Sequence, residues 1–269
     1  MLYRVLFVIG LSFSATILSA QNKTEEKVFP LGIVRLLHST VLNEDRTLNI
    51  YLPEGYHKDS SYPVIYLLDG SADEDFIHVT GLVQFYNFPW VNVLPKSIVV
   101  GIANVDRRRD FTFPTTIEKD KKDFPTTGGS EKFIRFIEKE LQPYVNRSFK
   151  TNGNNMLIGQ SLGGLLATEV LLKKPVLFSQ YVIVSPSLWW DSESLLKTKL
   201  AAFQNNLAVY IAVGKEGKIM EDDAKALHDL IKSKLINGTT QFEYISHKQH
   251  ANIFHQAVAN AFEFLGGLR

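Results

Sequence analysis

A serine flanked by glycines is the strongest chemical signal in the sequence. Ser161 lies in Gly159-Gln160-Ser161-Leu162-Gly163, directly after the apolar run Met156-Leu157-Ile158. A strand that turns sharply into a helix at such a G-x-S-x-G motif exposes its serine hydroxyl as a nucleophile. Because the turn is tight, we expect a Cβ atom at position 159 or 163 to collide with neighbouring chain. The pattern therefore predicts acyl transfer through Ser161.

Acyl transfer also needs N–H donors that hold the negatively charged oxygen of the intermediate. Leu162 opens the helical pattern after Ser161, and the first N–H groups of a helix have no partner within that helix. A second donor is expected in the loop after the third predicted strand, where Gly70 and Ser71 follow Asp69. Of these two residues we favour Ser71.

The general base is expected among three histidines near the C terminus. In hydrolases with this serine turn the chain order is serine, acid and histidine, and the histidine follows the last strand. His250 lies between the last predicted strand and the last predicted helix, whereas His247 ends the strand and His255 lies inside the helix. We predict His250 as the base and keep the other two as alternatives. No zinc-type helix motif or carboxylate accompanies them, so no metal site is predicted.

The acid that orients the histidine should follow the strand predicted at Ala208–Val213. Glu216 lies closest to the end of that strand. Asp222 and Asp223 open the next helical pattern, where acids also interact with the helix dipole, and Asp191 follows the preceding strand. We predict Glu216 and keep the three aspartates as alternatives. A serine–histidine pair with a weak or absent acid also stays open, because the acid is the least indispensable member of such a triad.

Alternating strand and helix patterns would position these residues. Strands are predicted at Ile33–Leu42, Arg46–Leu52, Pro63–Leu68, Ser97–Ala103, Asn155–Gly159, Gln180–Val184, Ala208–Val213 and Phe242–Ser246. Helices are predicted at Ser130–Val145, Leu162–Lys173, Glu221–Ile236 and Ile253–Leu265. Such alternation predicts an α/β fold with a mostly parallel sheet covered on both faces, and an antiparallel edge formed by the first two strands.

Two further segments have weaker patterns. The aromatic stretch Ser71–Pro95 has little periodicity and is expected to cover part of the carboxyl edge of the sheet, where α/β sheets bind ligands. The charge run Glu118–Lys122 is expected to be a solvated loop.

Composition narrows the class of protein. The 269 residues carry 29 Lys and Arg against 28 Asp and Glu, so no bulk charge attracts nucleic acid or an anionic membrane. The sequence has no cysteine, which excludes disulfides, a thiolate metal site and a thiol nucleophile. No linker or repeat divides residues 21–269, for which we predict one domain.

The first twenty residues have the pattern of a secretory signal peptide. A short charged start, Met1-Leu2-Tyr3-Arg4, precedes the apolar run Val5 to Leu18 and the small-residue exit Ser19-Ala20. The apolar run is too short to span a bilayer comfortably, so stable membrane insertion is not expected. The pattern predicts removal of residues 1–20 and a secreted or periplasmic protein.

Several longer stretches resemble a known family. They are Arg46–Tyr56, Tyr62–Gly70, Gly101–Arg107 and Ser185–Asp191, together with the serine motif and His250. With these residues the chain resembles the putative esterase family of α/β-hydrolases, which includes siderophore trilactone esterases, esterase D and carbohydrate acyl esterases. The resemblance spans about Val34 to Leu265. It implies an α/β-hydrolase fold and cofactor-free hydrolysis of small-molecule carboxylic esters through an acyl-enzyme intermediate.

The resemblance also suggests substrate-binding residues. Trilactone siderophores are catecholates and become anionic when they hold iron, so cationic Arg107 and the stacking rings of Trp189 and Trp190 would suit them. An alternative for the segment Arg107-Arg108-Arg109 is structural pairing with Asp106 or Asp110. Two other functions stay open: acyl transfer to an alcohol other than water, and a non-catalytic binding module on the same fold.

Overall fold

The computed structural model of the chain describes residues 25–203 and 206–268. Residues 25–30 contain no helix or strand, and a compact unit spans Leu31–Arg269. The predicted signal peptide, residues 1–20, lies outside the described residues and stays a prediction.

One eight-stranded sheet forms the centre of the compact unit. Its strands are β1 (Ile33–Ser39), β2 (Glu44–Tyr51), β3 (Tyr62–Leu67), β4 (Ile98–Ile102), β5 (Thr151–Gln160), β6 (Gln180–Val184), β7 (Leu207–Gly214) and β8 (Gly238–Ile245). Their spatial order is β1-β2-β4-β3-β5-β6-β7-β8. β2 pairs antiparallel with both β1 and β4, and every other pair is parallel. The predicted mostly parallel sheet with an antiparallel edge is therefore confirmed.

Helices cover both faces of the sheet. They are α1 (Phe76–Tyr86), α2 (Arg107–Phe111), α3 (Glu118–Asp123), α4 (Ser130–Phe136), α5 (Gln142–Ser148), α6 (Leu162–Lys173), α7 (Lys218–Lys234) and α8 (Phe254–Gly266). A π-helical turn, Ile137–Leu141, joins α4 to α5. Helices α4, α6 and α7 pack in one apolar cluster, while α1 and α8 pack in a second cluster on the opposite face. None of the helices in the described ranges is long and apolar enough to cross a membrane.

Two segments differ from the sequence-based expectation. Most of Ser71–Pro95 covers a face of the sheet beside α8, where it forms helix α1, and only Glu74 and Asp75 before this helix lie at the carboxyl edge. The sequence of α1 shows little helical periodicity because two of its large apolar residues, Ile77 and Phe85, are exposed and lie outside the buried face of the helix. The charge run at Glu118–Lys122 lies in helix α3 and not in a loop, although no residue of α3 is buried.

A close backbone approach fixes the loop that follows β3. A Cβ atom added at Gly70 would overlap Gly101 of β4 and lie 2.5 Å from the backbone nitrogen of Ile102. The Gly70 N–H also donates to the Ile102 carbonyl at 3.0 Å. The loop carrying Asp69 and Ser71 is thus held against β4 at a distance that only glycine permits.

Gly70→Ala is therefore expected to lower the free energy of unfolding by about 1–3 kcal/mol, the usual range for overpacking. Urea unfolding would measure the loss. The matched control is Gly81→Ala in the exposed part of α1, where an added Cβ meets nothing within 4 Å. That change should be neutral or slightly stabilising, because alanine is the better helix former. Equal stability of the two variants would contradict the expected steric overlap at Gly70.

Candidate active site

Ser161 occupies a strained turn at the end of β5. Its φ of 58° and ψ of −120° are unusual for a residue with a side chain. Two backbone hydrogen bonds hold the turn, from Ser161 N–H to Val184 O at 3.1 Å and from Leu165 N–H to Ser161 O at 2.9 Å. A Cβ at Gly159 would overlap the carbonyl of Gly163, as expected from the sequence. At Gly163 the expected collision is instead a tight contact, 3.3 Å from Asp69 Oδ2.

A cavity of about 350 Å³ opens at the carboxyl edge of the sheet beside this serine. Its lining comes from the loops after β3, β4, β5 and β8: Asp69, Glu74, Asp75, Arg107, Gln160, Ser161, His250 and Ala251. The predicted nucleophile and the predicted base therefore line the same cavity, although they are 89 positions apart in the sequence.

Glu216 and His250 form a close pair. Glu216 Oε2 lies 2.6 Å from His250 Nδ1, and the carboxylate side chain is only 3% exposed. Its other oxygen accepts hydrogen bonds from Ser185 Oγ at 2.5 Å and from the Gly214 N–H at 3.0 Å. Burial alone would raise the pKa of Glu216, but the bonds from His250, Ser185 and Gly214 outweigh burial and hold that pKa below its ordinary value. Glu216 is thus an ionised carboxylate aimed at the histidine ring.

None of the three alternative acids bonds to His250 in the described part of the chain. Asp222 pairs with Lys218, and Asp191 accepts hydrogen bonds from Thr115 Oγ1 at 3.1 Å and from the Thr116 N–H at 2.6 Å. Burial, with the charges of Glu193 and Asp222, raises the pKa of Asp223 to about 6.

The alternative histidines also lie apart from the serine. His247 is exposed, and the ring of His255 lies 5.5 Å from the ring of His78. Burial and the neighbouring His78 and Lys248 lower the pKa of His255.

The Ser161 hydroxyl has a serine neighbour. Its Oγ lies 3.3 Å from Ser187 Oγ, and the Ser187 N–H donates to the Ser161 carbonyl at 3.0 Å. Within the described residues no hydrogen bond joins Ser161 Oγ to the His250 ring. Catalytic hydrogen bonds are often long before substrate binds.

The two predicted oxyanion donors lie at the start of α6 and in the loop after β3. Leu162 is the first residue of α6, where N–H groups lack intrahelical acceptors. The Gly70 N–H is bonded to Ile102, so it is not available, whereas the Ser71 N–H has no acceptor in the part of the chain that the structure describes. The contact of Gly163 with Leu68 and Asp69 brings the β3 loop against the start of α6.

Arg107 lines the cavity, but its charge is already paired. Its Nε and Nη2 lie 2.6 and 2.9 Å from the two carboxylate oxygens of Asp69. Arg109 instead joins a structural network with Glu44, Arg46 and Asp110. The cavity lining therefore carries three carboxylates against one guanidinium, a formal charge of −2 with histidine neutral.

The tryptophan pair does not line the cavity. Trp190 is fully buried, and its indole N–H donates to the Phe113 carbonyl at 2.9 Å, so the expectation that it contacts substrate does not fit its position. Trp189 is half-buried, and the centroid of its ring lies 6.0 Å from that of Phe124. Both rings belong to the packing of the loop after β6.

Three side chains that contact the predicted triad were not predicted from the sequence. Ser185 donates a hydrogen bond to Glu216, the Ser187 hydroxyl lies beside that of Ser161, and Gln160 donates to the backbone carbonyl of His250. Ser185 and Ser187 belong to the stretch Ser185–Asp191, which resembles the esterase family but carries no motif that marks either hydroxyl as functional. Gln160 stands at a variable position of the serine motif, where nothing in the motif marks it.

Comparison with known proteins identifies the family. The profile of the family described as "Putative esterase" matches residues 39–262. The chain belongs to this family. It is 31% identical to the ferri-bacillibactin esterase BesA of Bacillus subtilis over 257 residues, covering 86% of this chain and 88% of the relative. It is thus a serine carboxylic-ester hydrolase with the α/β-hydrolase fold.

Two solved structures show the same fold across most of this esterase. An IroE-like serine hydrolase from Shewanella oneidensis is 31% identical, with a TM-score of 0.79 over 88% of this chain and 80% of that one. The BES protein from Bacillus cereus is 25% identical, with a TM-score of 0.76 over 90% of this chain and 97% of that one.

Proposed function

We propose that this esterase hydrolyses a siderophore-type ester, with Ser161 as nucleophile, His250 as general base and Glu216 as the acid that orients His250. The observation that carries the proposal is the 2.6 Å contact between Glu216 and His250 at the cavity that Ser161 also lines. A carboxylate bonded to Nδ1 fixes the ring so that Nε2 is free to accept a proton.

The proposed reaction has two steps. In the first, His250 takes the proton of Ser161 while Oγ attacks the ester carbonyl, and the N–H groups of Leu162 and Ser71 hold the oxyanion. The protonated histidine then gives that proton to the departing alkoxide, which leaves an acyl-enzyme. In the second step His250 takes a proton from a water molecule as that water attacks the acyl group. The protonated histidine then returns this proton to Ser161 Oγ as the bond between Oγ and the acyl carbon breaks, which releases the acid and free Ser161.

The relative named as a ferri-bacillibactin esterase supports the siderophore class of substrate. The predicted signal peptide, residues 1–20, adds the proposal that the enzyme acts outside the cytoplasm, as a secreted or periplasmic protein. An alcohol other than water as the acceptor stays the alternative reaction.

The test is incubation of the protein with a catecholate trilactone, followed by mass spectrometry of the products. Hydrolysis adds one water for each ester bond broken, which yields linear acids. Added alcohols would appear as new esters if the enzyme were a transferase. Turnover of p-nitrophenyl butyrate without any cleavage of the trilactone would reject the siderophore substrate and retain the esterase activity.

The net negative lining of the cavity predicts a preference for uncharged or cationic esters. Like charges a few ångströms apart at a protein surface cost on the order of 1 kcal/mol or more, and salt screens that cost. We therefore expect kcat/KM for p-nitrophenyl butyrate to exceed that for the anionic p-nitrophenyl hemisuccinate by about tenfold at low salt. The same reasoning favours an iron-free catecholate trilactone over its anionic ferric complex.

A pair of variants checks the origin of this preference. Glu74 lines the cavity and has no cation within ion-pair distance in the described part of the chain, so Glu74→Gln should narrow the ratio between the two esters. Asp73→Asn removes an exposed charge from the same loop without touching the cavity lining, and should leave the ratio almost unchanged. A ratio that is insensitive to both Glu74→Gln and salt would contradict an electrostatic cause.

A further inference from the structure

Gln160 connects the strand that carries the nucleophile to the loop that carries the histidine. It is the last residue of β5, directly before Ser161, and it lines the cavity. Its side-chain Nε2 donates to the His250 carbonyl at 2.6 Å. Its own carbonyl accepts a hydrogen bond from Arg107 Nη2 at 3.3 Å. Gln160 therefore bonds to the main chain of His250 and to the side chain of Arg107, and both of these residues line the cavity.

Among the described residues, the loop after β8 has few other hydrogen bonds to the sheet. The Lys248 carbonyl accepts a bond from the Lys215 N–H at 2.7 Å, and Gln249 and Asn252 bond to one another within the loop. At His250 the ring is held by Glu216 and the carbonyl is held by Gln160. Glu216 sets the rotation of the ring, but the distance of His250 from Ser161 also depends on where its main chain lies.

The serine turn does not itself require an amide at position 160. The turn needs glycine at 159 for space and a serine at 161 for chemistry, whereas the side chain between them points away from the turn and reaches a different loop. A short amide–carbonyl bond in a partly buried site is a specific contact, because a side chain without an N–H donor would leave the carbonyl unpaired.

We propose that Gln160 is a positioning residue, whose amide holds the main chain of His250 beside the cavity that Ser161 lines, so that the ring can reach Ser161 Oγ when an ester is bound. The inference rests on the proposed role of His250. Misplacement of a catalytic group by about 1 Å costs on the order of 10²-fold in rate. Loss of the amide should therefore lower kcat. KM should stay nearly unchanged, because His250 serves both acylation and deacylation and the two steps should slow together.

Two substitutions separate positioning from a merely structural role. Gln160→Leu keeps the approximate size and removes the donor, so kcat for p-nitrophenyl butyrate should fall about 10- to 100-fold at every pH. Gln160→Glu keeps the shape, but its carboxylate repels the carbonyl and can donate only when protonated. The ratio of wild-type kcat to that of Gln160→Glu should therefore shrink as the pH is lowered, while the ratio for Gln160→Leu stays constant.

The matched control is Gln256→Glu in α8, where the amide bonds to Asn260 at 2.7 Å, away from the cavity. This variant should keep the wild-type kcat at every pH. Wild-type kcat in Gln160→Leu would overturn the proposal, as would a loss confined to KM or an equal loss in Gln160→Leu and Gln160→Glu at all pH values. An inactive wild type would instead reject the proposed function, so the two failures are distinct.

Discussion

Ser161→Ala is expected to lower kcat for p-nitrophenyl butyrate by about 10⁵- to 10⁶-fold, the loss found when a triad nucleophile is removed. The variant keeps the glycines that the turn requires and removes the one hydroxyl at the end of β5. The oxyanion donors and the cavity remain, so a residual rate above that in water should persist. Initial rates at saturating ester would measure the loss.

Labelling by a fluorophosphonate probe gives a second readout, because the probe reacts only with an activated serine. Wild type should be labelled and Ser161→Ala should not. Ser179→Ala is the matched control, since Ser179 precedes β6 at the opposite end of the sheet and bonds to the Asn155 carbonyl. A labelled Ser161→Ala protein would assign the nucleophile to another residue, with Ser187 the first to examine because its hydroxyl lies beside Ser161.

Glu216→Gln is expected to lower kcat by roughly 10³- to 10⁴-fold with an intact fold. An amide can present its N–H to His250 Nδ1, which favours the tautomer that carries the proton on Nε2 and cannot act as a base. The competing acids supply the controls: Asp191→Asn, Asp222→Asn and Asp223→Asn should retain activity close to wild type. A larger loss in one of these three than in Glu216→Gln would move the orienting role to that residue.

The ionisation of Glu216 also has a consequence for pH. Its pKa in the folded protein lies below the ordinary value of 4.5, so the ionised carboxylate contributes stability that is fully present above that value. The contribution is lost as the pH falls through the lower folded-state pKa. Glu216→Gln should therefore flatten the acid limb of the stability profile measured by urea unfolding.

Short-range patterns made much of the site predictable. The serine motif locates Ser161 because its glycines follow from the sterics of one turn. Chain order and strand ends then lead to Glu216 and His250, since each residue follows its strand by a few positions. The pairing of Arg107 with Asp69 could not be predicted in this way, because it joins loops 38 residues apart. Without that pairing, Arg107 looked like a free cation suited to anionic substrates.

The same difference between short-range patterns and long-range contacts explains where the predicted fold differs from the observed one. All eight strands were predicted, and the clearest were β3, β4, β6 and β7, because buried parallel strands are continuous apolar runs. β8 begins at Gly238 and not at Phe242, since its first four residues are polar and only their pairing with β7 makes them a strand. Trp190 was expected to bind substrate because a stacking ring suits a catecholate, whereas its indole N–H bonds to the distant Phe113 carbonyl and the ring is buried.

The carboxylate of Glu216 is bonded at once to Ser185 after β6, to Gly214 at the end of β7 and to His250 after β8. Three adjacent strands thus converge on one side chain, and any sliding of these strands past one another would pull at least one of the three bonds apart. The acid proposed to orient His250 thus also holds β6, β7 and β8 in register at their carboxyl ends. Heating should therefore abolish activity and unfold these strands in a single cooperative step.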